Sequence, residues 1–195
     1  MDFKSSQTRI NLMRAFAGES MARNRYTFAK NKAYELGFNA IGDMFEFTAC
    51  QEKEHAEIFY GYLKREMGEN VEISAAYPVD SDIDMVAILK AAVNNEYAEN
   101  ENIYPEFARV AKEEGFDDIA ASFTMIALIE KTHGDRFAKY AQLIETDRLN
   151  KSDKEEQWIC LNCGHVHTGK SAPQICPVCK AEIGYAVRAN TQIVG

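Results

Sequence analysis

Four glutamates on apolar helical faces constrain this chain more than any other feature of its sequence. Each has aliphatic or aromatic residues three, four or seven positions away, which is the spacing of one helix face: Glu19, Glu52, Glu96 and Glu130. A carboxylate that faces a helical core without a partner is costly or takes up a proton. Four of them therefore predict a shared counter-charge inside a helical bundle.

The same glutamates belong to an internal repeat. The matching pairs lie 77 or 78 residues apart: Glu19 with Glu96, Glu52 with Glu130, His55 with His133, and Gly37 with Gly115. The first pair has the shorter offset, so a slip of one residue falls between Glu96 and Gly115. Pro105 is its predicted position. The repeat indicates two related helical hairpins.

Helical periodicity extends from about residue 5 to residue 146. The predicted elements are helices Ser5–Leu36, a second helix from there to about Met67, a crossover loop Glu69–Asp82, and helices Ile83–Glu114 and Phe116–Thr146. A loop of this length crosses from one end of a bundle to the other. Pro105 is expected to kink or open the third helix. The predicted fold class is an all-α four-helix bundle with a long crossover loop.

A small second domain is expected after the bundle. Residues 1–146 form the bundle, residues 147–157 have the composition of a linker, and residues 158–195 are too few to form a stable core without a cross-link or a bound metal. Two C-x-x-C pairs with twelve residues between them predict a tetrahedral metal site that stabilises this domain: Cys160, Cys163, Cys176 and Cys179. Zinc and iron both accept four sulfurs, so a structural zinc ribbon is an alternative. The remaining cysteine, Cys50, is interpreted as a small buried apolar residue.

The charge of the chain limits its partners. Its formal net charge is -8, with a pI near 5.1, which disfavours a phosphate backbone or an anionic membrane. We expect neither nucleic acid nor a membrane as a partner. The sequence begins without an apolar segment of signal-peptide length, and nowhere do eighteen apolar residues run together. A soluble, cytoplasmic protein is therefore expected, in which free thiols remain available to metals.

Two Glu-x-x-His segments provide ligands for the counter-charge. Glu52 precedes His55 by three residues, as Glu130 precedes His133, so that each segment places a carboxylate beside an imidazole on one helix face. Two such segments, together with a glutamate from each of the other two helices, form the ligand set of di-iron and di-manganese carboxylate bundles. The pattern predicts a dimetal site.

A fifth carboxylate breaks the symmetry of the repeat. Glu99 lies three residues after Glu96, where the first repeat has Ala22. The surrounding part of the helix is polar, so a solvated side chain is the alternative. Charge favours ligation, because two divalent ions nearly balance five carboxylates.

These motifs resemble the rubrerythrin family over nearly the whole chain. The resemblance rests on the duplicated glutamate and Glu-x-x-His, on Glu99, and on the tail motifs C-x-x-C-G and C-P-x-C. It implies a ferritin-like bundle that holds two non-haem iron ions, followed by a rubredoxin-like domain that holds one iron. One departure is Lys180, which stands after the last cysteine where simple rubredoxins have glycine.

The resemblance also implies a role for each ligand. Glu52 and Glu130 bridge the irons. Glu19 completes one iron, together with His55 in the reduced state and Glu99 in the oxidised state, while Glu96 and His133 complete the other. Tyr26 and Tyr104 match tyrosines whose hydroxyls hold ligand carboxylates in place.

The activity that the resemblance implies is the reduction of hydrogen peroxide to water, as oxidative-stress defence in an anaerobe or microaerophile. Electrons come from a rubredoxin or an NAD(P)H-dependent reductase through the cysteine-bound iron. Because the bundle is long and the linker is short, we predict a head-to-tail homodimer, or a higher oligomer of such dimers, in which each tail serves the partner's irons.

Other functions remain open at this point. Oxygen is an alternative oxidant, and manganese or zinc is an alternative occupant of the predicted dimetal site. An iron-oxidising or storage protein would share the bundle but would leave the cysteine domain unexplained. A non-redox module would use a zinc-bound tail to recruit a partner.

Overall fold

A ferritin-like four-helix bundle forms most of this protein, as the sequence predicts. The computed structural model describes residues 2–64, 68–80 and 83–190. The helices are α1 (Gln7–Glu35), α2 (Asn39–Leu63), a third helix in two parts, α3 (Met85–Ala98) and α4 (Tyr104–Glu113), and α5 (Asp117–Glu145). Among the described residues, no helix is both long and apolar enough to cross a membrane.

The helix ends agree with the predicted boundaries to within a few residues. α1 begins at Gln7 rather than Ser5, because the side chain of Ser6 caps it by accepting a hydrogen bond from the Arg9 amide. Gly37 and Gly115 take the left-handed conformation after their helices, with φ of 78° and 86°. The predicted helix end at Met67 and the predicted loop end at Asp82 lie outside the described residues.

The third helix widens into a π-helical segment that the sequence analysis did not predict. It spans Glu99–Ile103, and the amide of Tyr104 donates to the carbonyl of Glu99, five residues earlier. Tyr26 and Tyr104 lie 78 residues apart, whereas the first pair of glutamates lies 77 apart. The extra residue of the repeat therefore lies in this segment. Pro105 follows directly and has no N–H to continue a regular helix.

Two apolar clusters fill the bundle and leave a polar layer between them. Phe45 stacks on Phe137 in one cluster at 5.0 Å, and Phe59 stacks on Phe123 in the other at 4.9 Å. The four rings are related by the same 78-residue offset as Glu52 and Glu130. The repeat thus places one aromatic layer on each side of the polar layer, which shields that layer from water.

The crossover segment lies along the face formed by α1 and α3. The hydroxyl of Tyr77 donates to the carbonyl of Arg14 at 2.8 Å, and Nε of Arg14 donates to the carbonyl of Ser74 at 3.2 Å. Asp80 accepts from Asn95 at 3.1 Å and pairs with Arg25 at 3.1 Å. These contacts fasten the segment to both hairpins.

The tail contains three strands, β1 (Lys151–Cys160), β2 (Val166–Ser171) and β3 (Ala186–Arg188). They form an antiparallel sheet in the order β2-β1-β3. The sheet begins inside the segment 147–157 that was expected to be a linker. That interpretation needs correction, because the residues that gave the segment its polar composition are largely the solvent-exposed side chains of β1.

The tail packs on the end of the bundle where α1 turns into α2. Val187 belongs to the apolar cluster at that end, and Ile159 packs against it. A Cβ atom on Gly184 would overlap the carbonyl oxygen of Gly37. The two backbones are therefore in direct contact, and a side chain at position 184 would separate them.

Candidate metal centres

Six buried side chains from four helices meet in the polar layer of the bundle. They are Glu19 on α1, Glu52 and His55 on α2, Glu96 on α3, and Glu130 and His133 on α5. None of them exposes more than 5% of its surface. The structure thus brings together the four glutamates and both histidines that the sequence singled out, and these six side chains are called the nest.

Two of the glutamates each direct one oxygen to each histidine. Oε2 of Glu52 lies 3.1 Å from Nδ1 of His55, and its Oε1 lies 2.9 Å from Nδ1 of His133. Oε1 of Glu130 lies 3.0 Å from Nδ1 of His55, and its Oε2 lies 2.9 Å from Nδ1 of His133. Each of these two carboxylates could therefore bind both ions of a metal pair, and each imidazole could bind one of them.

The other two glutamates each belong to one half of the nest. Oε2 of Glu19 lies 4.0 Å from Nδ1 of His55, and Oε2 of Glu96 lies 3.5 Å from Nδ1 of His133. The second oxygen of each accepts a tyrosine hydroxyl, from Tyr104 to Glu19 and from Tyr26 to Glu96. Each tyrosine therefore holds a carboxylate of the opposite hairpin.

The positions and hydrogen bonds of the nest atoms show whether metal ions fit there. The potential ligand atoms of the nest form two groups that share Glu52 and Glu130, and within each group all atoms lie within 4.8 Å of one another. Several inward atoms have no hydrogen-bond partner among the described residues: Glu19 Oε2, Glu52 Oε1, Glu96 Oε2, both oxygens of Glu130, and His133 Nδ1. Buried polar atoms without partners are costly. Two divalent cations with oxygen and nitrogen ligands would satisfy them, so the residues fit a dimetal site.

Without metal, the nest holds protons in place of cations. Burial, together with the charges of Glu130 and Glu52, raises the pKa of Glu19 well above its usual value. Burial and the charge of Glu52 raise the pKa of Glu96 to about 8. Burial disfavours charge on His55, but the negative charges of Glu130 and Glu52, whose oxygens lie 3.0 and 3.1 Å from Nδ1, raise its pKa to about 10. Metal binding at neutral pH therefore has to displace protons.

Glu99 lies outside both ligand groups. It is partly buried at the start of the π-helical segment and lines a cavity of about 480 Å³ below the crossover segment. Oε1 of Glu99 lies 4.0 Å from the position of a Cβ atom on Gly18. The structure thus places His55 in the nest and Glu99 beside it.

Gln51 contributes to the nest but was missed in the sequence. Its Oε1 lies 3.1 Å from Nε2 of His133, and by accepting the proton of that nitrogen it leaves Nδ1 free to bind a metal. The sequence does hold a sign of this residue. Gln51 is polar, whereas the matching position of the second repeat, 78 residues later, holds the apolar Ile129. The partner, 82 residues away in the chain, is visible only in the fold.

The four tail cysteines form a second site. Sγ of Cys160 lies 3.7 Å from Sγ of Cys179, and Sγ of Cys163 lies 3.7 Å from Sγ of Cys176. A tetrahedral centre with metal–sulfur bonds of about 2.3 Å has edges of about 3.8 Å, so the thiols match such a centre. Cys50 is not part of it. That cysteine is exposed on α2, which corrects the expectation that it is buried.

The two cysteine loops have the same hydrogen bonds. Cys160 accepts from the amides two and three residues later, and so does Cys176. Gly164 and Lys180 occupy matching left-handed positions, with φ of 76° and 66°. Lys180 thus adopts a conformation that favours glycine, and its ammonium group donates to the carbonyl of Pro177 at 3.0 Å.

Comparison with known proteins matches both parts of the chain. The family model described as rubrerythrin matches residues 11–141, and the model described as rubrerythrin, rubredoxin-like domain, matches residues 158–185. The chain is 47% identical over 177 residues to a rubrerythrin of Clostridium perfringens, which covers 90% of this chain and 91% of that protein. A rubrerythrin of Nitratidesulfovibrio vulgaris is 43% identical over 176 residues, with 90% and 91% covered. A solved structure of fully reduced, all-ferrous nigerythrin covers 94% of this chain and 90% of its own, with 28% identity and a TM-score of 0.64.

Proposed function

Because this chain belongs to the rubrerythrin family of oxidoreductases, we propose that it is a non-haem di-iron peroxidase that reduces hydrogen peroxide to water. It carries the di-iron carboxylate and histidine site of that family together with a rubredoxin-like four-cysteine site. The observation that best supports the proposal is the pair of glutamates that direct one oxygen to each histidine.

A ferrous pair held in the nest would supply the two electrons that peroxide reduction requires. Glu52 and Glu130, which come from opposite hairpins, would hold both ions of that pair. Tyr26 and Tyr104 hold the terminal carboxylates in place. The aromatic layers on either side of the nest keep bulk water away from the reacting atoms.

We assign Glu99 a role that alternates with that of His55. In this proposal His55 is a ligand in the reduced state, and Glu99 replaces it in the oxidised state. Two observations support the assignment. His55 belongs to a ligand group, while Glu99 lies beside the nest. The cavity that Glu99 lines offers space for its carboxylate to move.

Electron delivery is proposed to involve a second copy of the chain. The tail packs near Phe38, which precedes Glu52 by fourteen residues of α2, or about 20 Å along a helix axis. The tail is thus held at one end of the bundle, away from the nest of its own chain. We therefore propose a cytoplasmic head-to-tail homodimer, or a higher oligomer of such dimers, supplied by a rubredoxin or an NAD(P)H-dependent reductase.

The test is a single turnover that starts from the fully reduced protein. One equivalent of hydrogen peroxide is added without oxygen, and the visible absorption of the cysteine-bound ferric iron is followed. We expect fast return of the absorption in the native protein and in Glu57→Ala, which removes an exposed glutamate of the same helix. Glu130→Ala should abolish it. A native protein with a loaded nest that never regains this absorption would contradict the proposal, and a colourless tail would favour the zinc alternative.

A further inference from the structure

A cavity lies below the crossover segment, and two of its lining residues, Glu99 and Tyr104, lie beside the nest. It has a volume of about 480 Å³ and lies between α1, residues 74–78 and the π-helical segment. Glu99 and Tyr104 line it, and the hydroxyl of Tyr104 donates to Glu19. Gly18, the neighbour of Glu19 in the chain, also lines it. A molecule in this cavity is therefore close to the first half of the nest.

The cavity is larger and less polar than hydrogen peroxide requires. A water molecule takes about 30 Å³ of liquid, and hydrogen peroxide is only slightly larger. Much of the wall is apolar, formed by Ala15, Ala75, Ala76, Pro78, Ala98 and Ile103. Two polar side chains of the wall, Arg14 and Asn95, already donate to Ser74 and Asp80. Such a wall favours contact with a small hydrocarbon group.

We propose that this cavity admits small alkyl hydroperoxides as further substrates, and that Gly18 limits their size. The inference rests on the proposed peroxidase function. The reaction is ROOH + 2 e⁻ + 2 H⁺ → ROH + H₂O. The O–O bond breaks, the two electrons come from the reduced di-iron site and are replaced by the external one-electron donor, and the protons come from solvent.

Gly18 has this effect because its missing side chain leaves the inner end of the cavity open. A Cβ atom there would lie 3.6 Å from Cε1 of Tyr77 and 4.0 Å from Oε1 of Glu99. Alanine therefore fits, whereas a branched side chain occupies the space between these two residues. Tyr77 is not free to withdraw, because its hydroxyl is bound to the carbonyl of Arg14 at 2.8 Å.

The kinetic test compares tert-butyl hydroperoxide with hydrogen peroxide on the iron-loaded full chain. The native protein should reduce both. In Gly18→Val, the ratio of kcat/KM for tert-butyl hydroperoxide to that for hydrogen peroxide should fall by about tenfold or more. The matched control is Gly61→Val, because Gly61 is also within a helix but no atom of the described residues lies within 4 Å of its Cβ position. Its ratio should stay at the native value.

A second variant guards against misfolding of Gly18→Val. Ala76 lies on the exposed crossover segment and lines the same cavity, so Ala76→Trp narrows it without changing a helix. The same ratio should fall in this variant. An unchanged ratio in a folded Gly18→Val and in Ala76→Trp would overturn the inference.

A binding measurement tests the cavity without turnover. In the zinc-substituted protein, which is diamagnetic and inactive, tert-butyl alcohol should shift the amide resonances of Gly18, Ala76 and Ala98 in a saturable way. Gly61→Val should keep these shifts, and Gly18→Val should lose those of Ala76 and Ala98. Shifts that do not saturate, or that persist in Gly18→Val, would overturn the inference.

The outcomes separate this inference from the function on which it rests. Reduction of hydrogen peroxide but not of tert-butyl hydroperoxide by the native protein would overturn the inference alone. Failure to reduce either oxidant would overturn both.

Discussion

The two hairpins of the bundle carry matched ligands but differ in one helical turn. The first hairpin has an uninterrupted α1 with Ala22 three residues after its glutamate, whereas the second has Glu99 and the π-helical segment. Seven residues separate Glu19 from Tyr26, and eight separate Glu96 from Tyr104. Each residue of an α-helix turns the chain by about 100°, so the eighth residue would rotate Tyr104 away from the nest. The wider turn absorbs it, and the second hairpin gains an acidic position without losing its tyrosine.

The largest expected effect follows from removing either of the two glutamates that contact both halves of the nest. Glu52→Ala and Glu130→Ala should each lower the affinity of the bundle for both irons by at least about 100-fold, because each residue contacts both halves of the nest. Metal analysis after iron loading measures this. Loss of only one iron in either variant would show that these carboxylates are not bridges.

Deletion of Asn102 tests why the second hairpin keeps its wider turn. The deletion gives the second hairpin the spacing of the first, but it places Pro105 inside a regular helix, where a proline costs about 3 kcal/mol. We expect the free energy of unfolding to fall by that amount. Denaturant unfolding monitored by far-UV circular dichroism measures it. Pro105→Ala in the shortened chain should recover most of it. If the shortened chain is as stable as the native one, the π-helical segment is not required to accommodate Pro105.

The tyrosines offer a smaller test of the equivalence of the hairpins. Tyr26→Phe and Tyr104→Phe each remove one hydrogen bond to a terminal carboxylate. We expect both to weaken iron binding by a similar factor of about 10 to 100, since each tyrosine holds a ligand of the opposite hairpin. Competition with a chelator measures the two factors. Unequal factors would indicate that the halves of the nest do not bind iron alike.

The pH dependence of stability should differ between the metal-free and the loaded bundle. A carboxyl with a raised pKa stabilises the fold at low pH, and this contribution is lost as the pH rises through its folded value, about 8 for Glu96. His55 acts in the same direction, since its pKa is raised to about 10. Burial opposes charge on Glu52, but the nearby charges of His133 and His55 lower its pKa, so its contribution to stability is lost only in acid.

Between about pH 6 and about pH 9 the metal-free protein should therefore unfold at progressively lower temperature, by a few degrees. The loaded protein should not, because metal ions replace the protons. Thermal unfolding followed by circular dichroism compares the two. A metal-free protein that becomes more stable over this range would contradict the assigned protonation of the nest.

Periodicity and the repeat were sufficient to predict the helices and six of the nest residues, because these positions follow local helix geometry. The one-residue slip and Pro105 indicated where the third helix is irregular. They did not indicate a π-helical segment, since several bonding patterns absorb an extra residue. β1 was mistaken for a linker because its exposed side chains are polar. The contact between Gln51 and His133 depends on how two distant helices pack.

The contact between Gly184 and the backbone of Gly37 has a consequence for electron transfer. Because the tail packs directly on the bundle, it is held in one position and does not move between an electron donor and an electron acceptor. In the proposed dimer, an electron donor has to dock at this end of the bundle, and the second copy has to bring its nest to the tail. A larger residue at position 184 would then slow electron supply in that dimer without changing a metal ligand.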